Sequence, residues 1–343
     1  TFRMTHSGAR FYSPLDNSLL LEYTFFMIKQ IIADKELSEY LQMLPPDEML
    51  VFTMANGEAR GAIFSGTNLV NQMRVQHKTG ILETYILGQA CLCASLLIPA
   101  LMKGREHISW RYDAQGSAAA GFQVEADSLG WVRGFLLNQN IQIEKPLENW
   151  DLKPFLSSEN GFMTIQKTQP GDKYPQVSSV NTTGNIADDL VFYFDKSEQL
   201  KTAITTSIQM DKEGRVIGAG GLYVQLLPKT GGTFSKTENL QLEQDELIAQ
   251  IETALKKLPS LGKWYSLGRT GETLLQELFA PLNPKVALSR NIQFDCPCSR
   301  ENFLGHIRRL EKSDLDDIKL KGEPIIVTCQ NCSSVYTFDP NEL

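Results

Sequence analysis

Four cysteines near the end of the chain have the spacing of a metal site: Cys296-Pro-Cys298 and Cys329-Gln-Asn-Cys332, with residues 299–328 between the doublets. Each doublet can present two sulfurs on one side of a tight turn. Four thiolates with no other ligand are the donor set of a closed structural zinc site. The rival reading is two unrelated buried doublets. Each doublet is also a pair of neighbours able to oxidise to its own disulfide. The two-residue gap between Cys329 and Cys332 is that of a redox motif with lowered thiol pKa. A bridge between Cys296 and Cys298 closes a small strained ring, and strained disulfides are the labile kind. Two states are therefore open to one site, a zinc tetrathiolate and a pair of disulfides. Ring strain points to Cys329 and Cys332 as the pair that oxidises first.

The energetics attach a structural consequence to that choice. The segment 286–343 is too short to bury a robust core unaided. A structural zinc site supplies about 10–16 kcal/mol of apparent binding energy, which in so small a unit is largely folding energy. Oxidised thiolates hold no metal, so the unit is expected to be folded when reduced and loosened when oxidised.

The rest of the chain must position this unit. Its 343 residues are enough for two or three domains, and 42% hydrophobic with 21% charged residues is ordinary for a soluble globular protein. A net charge of -7 argues against a nucleic-acid binder, because phosphate contacts need clustered cations. Six cysteines, four of them at metal spacing, are intracellular usage rather than a secreted disulfide framework. No basic-plus-apolar leader opens the sequence, and residues 1–18 read as a flexible tail.

An α+β core is expected over 19–230. A strand fits residues 22–25, and a helix fits 28–44, stopped by Pro45-Pro46. Asn56-Gly57 between apolar runs at 50–54 and 59–64 marks a hairpin. The most apolar stretch, 85–102, is near the length of a membrane span. Gln89, Ser95 and Pro99 interrupt it, so a buried core helix is the preferred reading and no membrane partner is expected. Cys91 and Cys93 inside it read as small core hydrophobes. Strand character recurs at 107–113, 121–126, 131–137, 161–167, 204–210 and 222–227. Residues 185–194 form an amphipathic helix with Asp188 and Asp189 on its solvent side and Leu190, Phe192 and Phe194 packing; Ser197-Glu-Gln199 turns a helical corner. Gly220-Gly221 reads as a bulge or turn. Past a Gly/Thr/Lys-rich connection at 229–236, helices at 242–258 and 270–279 make up a metastable helical linker, 231–285, that leads into the C-terminal zinc domain, 286–343.

Several of these stretches together resemble the redox-regulated 33-kDa chaperonin family, heat shock protein thirty-three. The resemblance rests on Gly184-Asn-Ile-Ala-Asp-Asp-Leu-Val-Phe-Tyr-Phe194, Ser197-Glu-Gln199 and Gly220-Gly-Leu-Tyr-Val-Gln-Leu-Leu-Pro228. It rests most specifically on Phe294-Asp-Cys-Pro-Cys-Ser-Arg-Glu301 and on Cys329-Gln-Asn-Cys332 with Tyr336 and Phe338 just beyond. It implies an ATP-independent holding chaperone of the bacterial cytoplasm, inactive when reduced with one Zn²⁺ per chain. Oxidants such as hypochlorite, or peroxide with heat, would pair Cys296 with Cys298 and Cys329 with Cys332 and release the zinc. The zinc domain and linker would then unfold, and an activated homodimer would bind unfolding client proteins. Cys91 and Cys93 have no part in that switch.

Two other classes compete. A zinc-ribbon nucleic-acid binder could use Arg300, Arg308, Arg309 and Lys312, but Asp314, Asp316 and Asp317 come directly after them. An enzyme would want an open zinc position, whereas four thiolates close the site. Of the four histidines, His6, His77, His107 and His306, only His306 lies near a doublet, and it reads as a solvated helix position. No phosphate-cradling loop is present, and Ile63-Phe-Ser-Gly66 lacks the first glycine of a nucleophile elbow. No catalytic residue is assigned.

Overall fold

A computed structural model describes residues 27–101, 106–143, 149–228 and 238–343. The expected tail, the strand at 22–25 and the connection at 229–236 lie outside the described residues. In chain order the elements are α1 (Lys35–Met43), β1 (Glu48–Met54), β2 (Ala59–Ser65), α2 (Thr67–His77), α3 (Ile81–Leu101), β3 (His107–Asp113), β4 (Gly121–Asp127) and β5 (Trp131–Leu136). Next come α4 (Lys153–Leu156), β6 (Phe162–Thr168), β7 (Gln176–Asn181), α5 (Ile186–Tyr193), β8 (Thr202–Met210) and β9 (Val216–Leu226). The chain ends with α6 (Glu238–Leu255), α7 (Leu261–Ser266), α8 (Gly271–Phe279), β10 (Lys285–Asn291), β11 (Gln293–Phe294), α9 (Arg300–Ile307), α10 (Lys312–Lys321), β12 (Ile325–Thr328) and β13 (Val335–Phe338).

The α+β class stands. Two sheets sandwich α3: a five-stranded antiparallel sheet in the order β10-β1-β2-β9-β8 and a six-stranded sheet in the order β11-β5-β4-β3-β6-β7. A helix between two sheets meets apolar side chains all round, which is why α3 is apolar all round. It is the one helix among the described residues long and apolar enough to cross a membrane, and 83% of that stretch is buried inside the protein. Cys91 and Cys93 are fully buried on it.

The five-stranded sheet has a second apolar face. Leu50, Phe52 and Met54 of β1, Ile63 of β2 and Leu222 and Val224 of β9 pack there under α6, α7 and α8 in a cluster separate from the main core. Strand alternation makes this possible: Met49, Ala62, Phe64 and Tyr223 of the same strands face α3 instead. Gly220 and Gly221 are not a bulge or turn, as the sequence suggested, but interior residues of β9. A Cβ on Gly220 would collide with the Tyr265 ring of α7, and one on Gly221 would meet Phe64 and Leu96. Two bare positions admit a helix on each face of one strand.

The structure corrects several local expectations. The first helix begins at Lys35, not at 28, with Asp34 capping the Leu37 N–H. Residues before it are not helical because tertiary partners take their backbone groups: Ile28 N–H donates to Ser334 Oγ, and Gln76 Nε2 donates to the Ile28 carbonyl. Strand β7 was not anticipated; its side chains are mostly exposed and polar, so it carries little apolar pattern. Asp188 is on the solvent side of α5, but Asp189 is 1% exposed. Tyr112 Oη, the Thr183 N–H and Thr183 Oγ1 all donate to its carboxylate at 2.6–2.8 Å, so a buried charge is matched by donors. Phe192 is half exposed, and Tyr193 takes the buried place instead. The helical corner at 197–199 is a π-turn closed by Gln199 in the left-handed region.

Strands β10 and β11 lie within the segment expected to belong to the zinc domain, yet both join the large sheets. Strand β10 pairs antiparallel with β1, and β11 pairs parallel with β5 through Gln293–Trp131 and Phe294–Val132. The remainder, residues 296–343, is a small unit of α9, α10 and the β12–β13 hairpin.

Candidate metal centre

The chain leaves β11 through Asp295, whose N–H still donates to the Val132 carbonyl of β5. The Asp295 carboxylate accepts the Cys296 N–H at 2.8 Å and pairs with Lys29 Nζ at 3.1 Å, which fixes the entry to the first doublet. Ser299 then caps α9 on the Asn302 N–H. The second doublet is a knuckle between β12 and β13: the Cys329 N–H donates to the Ser334 carbonyl, and the Ser333 N–H donates back to the Cys329 carbonyl. Ser333 takes positive φ at its tip.

These two turns bring the four sulfurs to within 4.8 Å of one another, all on buried residues. Contacts of 3.9 Å (Cys296–Cys329) and 3.4 Å (Cys298–Cys332) run across the doublets. A tetrahedral ion with zinc–sulfur bonds of about 2.3 Å needs sulfurs about 3.8 Å apart, so both the spacing and the soft donor set fit a metal held by four thiolates. Every sulfur is near every other, so distance singles out no disulfide connectivity.

Negative charge is not shared evenly among the four. Hydrogen bonds from Cys296, Cys298 and Cys332 push the Cys329 thiol far down. The Cys298 hydrogen bond, helped by the charge of Arg133, brings Cys296 to about 7. Cys298 and Cys332 are pushed up, in each case first by Cys296. Four crowded sulfurs thus do not all ionise together, and a bound cation must displace the protons that Cys298 and Cys332 keep.

Residues beyond the cysteines complete the site, and most of them come from the core. Tyr336 of β13 lies with Oη 3.3 Å from Cys298 Sγ and donates to the Cys298 carbonyl at 3.2 Å. Ser334 Oγ is 3.2 Å from Cys332 Sγ. From the end of α2, Gln76 Nε2 donates to the Cys332 carbonyl at 2.8 Å. His77 meets the Asn331 carbonyl through Nε2 and Ser333 Oγ through Nδ1, and burial lowers its pKa, favouring the neutral ring. From β5, the Gly134 N–H donates to the Asn331 carbonyl, and Arg133 Nη1 donates to Cys296 Sγ at 3.1 Å. The local sequence carried no signal for Gln76, His77 or Arg133, because they lie 163–256 residues from the sulfur turns they hold. His306, the histidine near the first doublet, is exposed on α9. Arg300 and Arg308 bond to Glu342 rather than forming an open basic face.

Comparison with known proteins agrees with this architecture. A family model described as Hsp33 protein matches residues 47–339. The 33 kDa chaperonin of Agathobacter rectalis is 30% identical over 301 residues, covering 87% of this chain and 98% of its own length. That of Symbiobacterium thermophilum is 29% identical, covering 84% and 93%. The crystal structure of the Thermotoga maritima 33 kDa chaperonin superposes with a TM-score of 0.72 at 26% identity, covering 87% of this chain and 96% of that one.

Proposed function

The chain belongs to the Hsp33 protein family, and from that membership we propose that it is a redox-regulated, ATP-independent holding chaperone of the bacterial cytoplasm. In this reading Cys296, Cys298, Cys329 and Cys332 hold one zinc ion in the resting protein. Bound zinc would supply a cross-link and folding energy to the unit 296–343, not a reaction. Activation is thiol chemistry. Within each doublet, two thiolates, one hypochlorous acid and one proton give a disulfide, chloride and water. The sulfurs lose their charge and, with it, their hold on a cation.

The observation that carries the reading is one of connectivity. The helices α6, α7 and α8 cover an apolar face of the five-stranded sheet, and the same stretch of chain runs through β10 and β11 straight into the cysteine turns. Loosening of the unit 296–343 pulls on the cover, and the uncovered face is apolar surface of the kind an unfolding client would bind. The chain then divides by role into a core at 19–230 that β10 and β11 complete, a helical cover at 231–285 and a switch at 296–343, with a homodimer as the active form.

The test is a hypochlorite titration of the reduced, zinc-loaded protein, read by zinc release, thiol count and light scattering from a thermally unfolding client. Four of the six thiols should disappear as one zinc is released, with Cys91 and Cys93 spared because burial pushes the Cys91 thiol up and Cys93 to about 12. Aggregation should be suppressed only then, and a thiol reductant should reverse it. Zinc release without holding activity would reduce the site to a structural one.

A further inference from the structure

We propose that Arg133, a residue of the core sheet, is a positioning residue of the cysteine switch: it braces Cys296 in the charged state and so sets how readily the site lets go of its metal. This rests on the reading of the cysteines as a zinc-holding redox site.

Of the hydrogen bonds made to the four sulfurs by described residues outside the cluster, the Arg133 bond is the one from a cation. Ser334 Oγ accepts from Cys332 Sγ and the Tyr336 hydroxyl stands 3.3 Å from Cys298 Sγ, both neutral groups, while Arg133 Nη1 donates to Cys296 Sγ at 3.1 Å. The guanidinium is not free to wander there. Its Nε donates to Glu125 Oε2 at 2.7 Å, and its Nη2 reaches the same oxygen. Glu125 and Arg133 are directly opposed partners of β4 and β5. Glu125 also faces His107 Nε2 at 3.4 Å, and Arg133 lies over the Trp131 ring, 5.3 Å from its centroid. A planar, always-charged fork held on one side by a carboxylate and on the other by an aromatic ring presents its remaining N–H in a set direction. That direction is the sulfur.

The first effect of this bond is electrostatic. A divalent metal held by four thiolates carries a net charge of minus two, and a partly buried cation beside one sulfur offsets part of it. Donation to the sulfur also withdraws electron density from it, which slows its attack on an electrophilic oxidant. Outer-shell partners of metal ligands are worth about 10–100-fold in metal affinity. The second effect concerns docking. Once Cys296 is oxidised its sulfur is neutral, and the charge-assisted bond between core and switch is lost. Arg133 then keeps its ion pair with Glu125, and the switch unit has lost one of its few anchors on β5.

The experiment uses the full-length reduced protein with Arg133→Gln, Arg133→Lys and, as a charge control on the exposed face of the switch unit, Arg309→Gln. Zinc transfer to a chromophoric chelator is timed with and without hypochlorite, and the sulfur-to-metal charge-transfer band is recorded after cobalt substitution. Arg133→Gln should release zinc about tenfold faster and shift the cobalt band. Arg133→Lys should recover part of both, and Arg309→Gln should match the parent. Release by Arg133→Gln within about twofold of the parent, with an unshifted band, overturns the proposal, since an outer-shell partner is worth about tenfold or more. Should Arg133→Gln not fold, Glu125→Gln serves: it leaves the guanidinium unbraced and should accelerate release in the same direction, and an unchanged rate there is equally fatal. If the parent releases zinc without gaining holding activity, the chaperone switch fails while these rates still decide the role of Arg133.

Discussion

At the scale of single residues, the centre is governed by what touches each sulfur. Neutral donors and a cation do different jobs, and Tyr336 is the clearest neutral case. Its ring packs against Phe303 with centroids 5.3 Å apart, so the fold of the hairpin does not depend on the hydroxyl alone. Its hydroxyl serves both the sulfur and the carbonyl of Cys298. Tyr336→Phe should therefore keep the fold and lose one hydrogen bond, about 1 kcal/mol or roughly fivefold in zinc retention, measured by competition with a chelator at fixed pH. The cysteines outside the cluster are as informative as those within it. Cys91 and Cys93 are cysteines by type, but α3 buries them beyond the reach of water, and a thiol that cannot ionise is a small hydrophobe.

At the scale of elements, α2 links the core to the unit 296–343. Its last residues, Gln76 and His77, hold the knuckle, while its first turn is held by a residue outside the helix. Gly66 has no side chain to cap the helix, and Asp47 does so instead, accepting the Leu69 N–H at 2.8 Å. The site is buried, and desolvation raises the Asp47 pKa from 3.8 to about 7, outweighing its hydrogen bonds. The folded state thus binds the proton more tightly than the unfolded one. Stability from this group is fully present below pH 3.8 and is lost as pH rises through about 7. The gap corresponds to on the order of 4 kcal/mol at most. Asp47→Asn removes that dependence, so denaturant unfolding of parent and variant from about pH 4 to about pH 8 should show the variant gaining on the parent as pH rises. A constant difference would mean that Asp47 is ionised in both states throughout.

At the scale of the whole molecule, the core and the unit 296–343 differ in their sources of stability. The core has α3 between two sheets and a large apolar cluster, which reaches the unit 296–343 only through the cysteines and Ile307, Tyr336 and Phe338 as buried members. On α10 no residue is buried, and the short β12–β13 hairpin has one buried face, so the unit 296–343 leans on its cysteine turns. Removing zinc with a chelator under reducing conditions should raise amide hydrogen exchange across 296–343 first and across β10 and β11 next. Strands β2, β3, β4 and β9 should stay protected. Uniform loss of protection across the chain would show that the two parts fold as one unit.

The cysteine cluster and the class of fold were legible in the chain before any coordinates. Metal coordination needs particular side chains at short spacing, and burial of a helix or strand leaves an apolar run or a period in the local pattern. Both are written in neighbouring residues, which is why the two cysteine doublets, the buried helix over 85–102 and the Asn56-Gly57 hairpin could be read directly. Where the sulfurs rest and what restrains them came only with the folded arrangement. Arg133 reaches Cys296 across 163 residues, Gln76 reaches Cys332 across 256, and Asp189 is drawn inside by Tyr112 across 77. The start of α1 was settled the same way, by Ser334 claiming the backbone of Ile28 across 306 residues. Contacts between groups so far apart leave no period and no spacing in the chain. They exist only once the two sheets have closed on α3 and given the switch a surface to dock on.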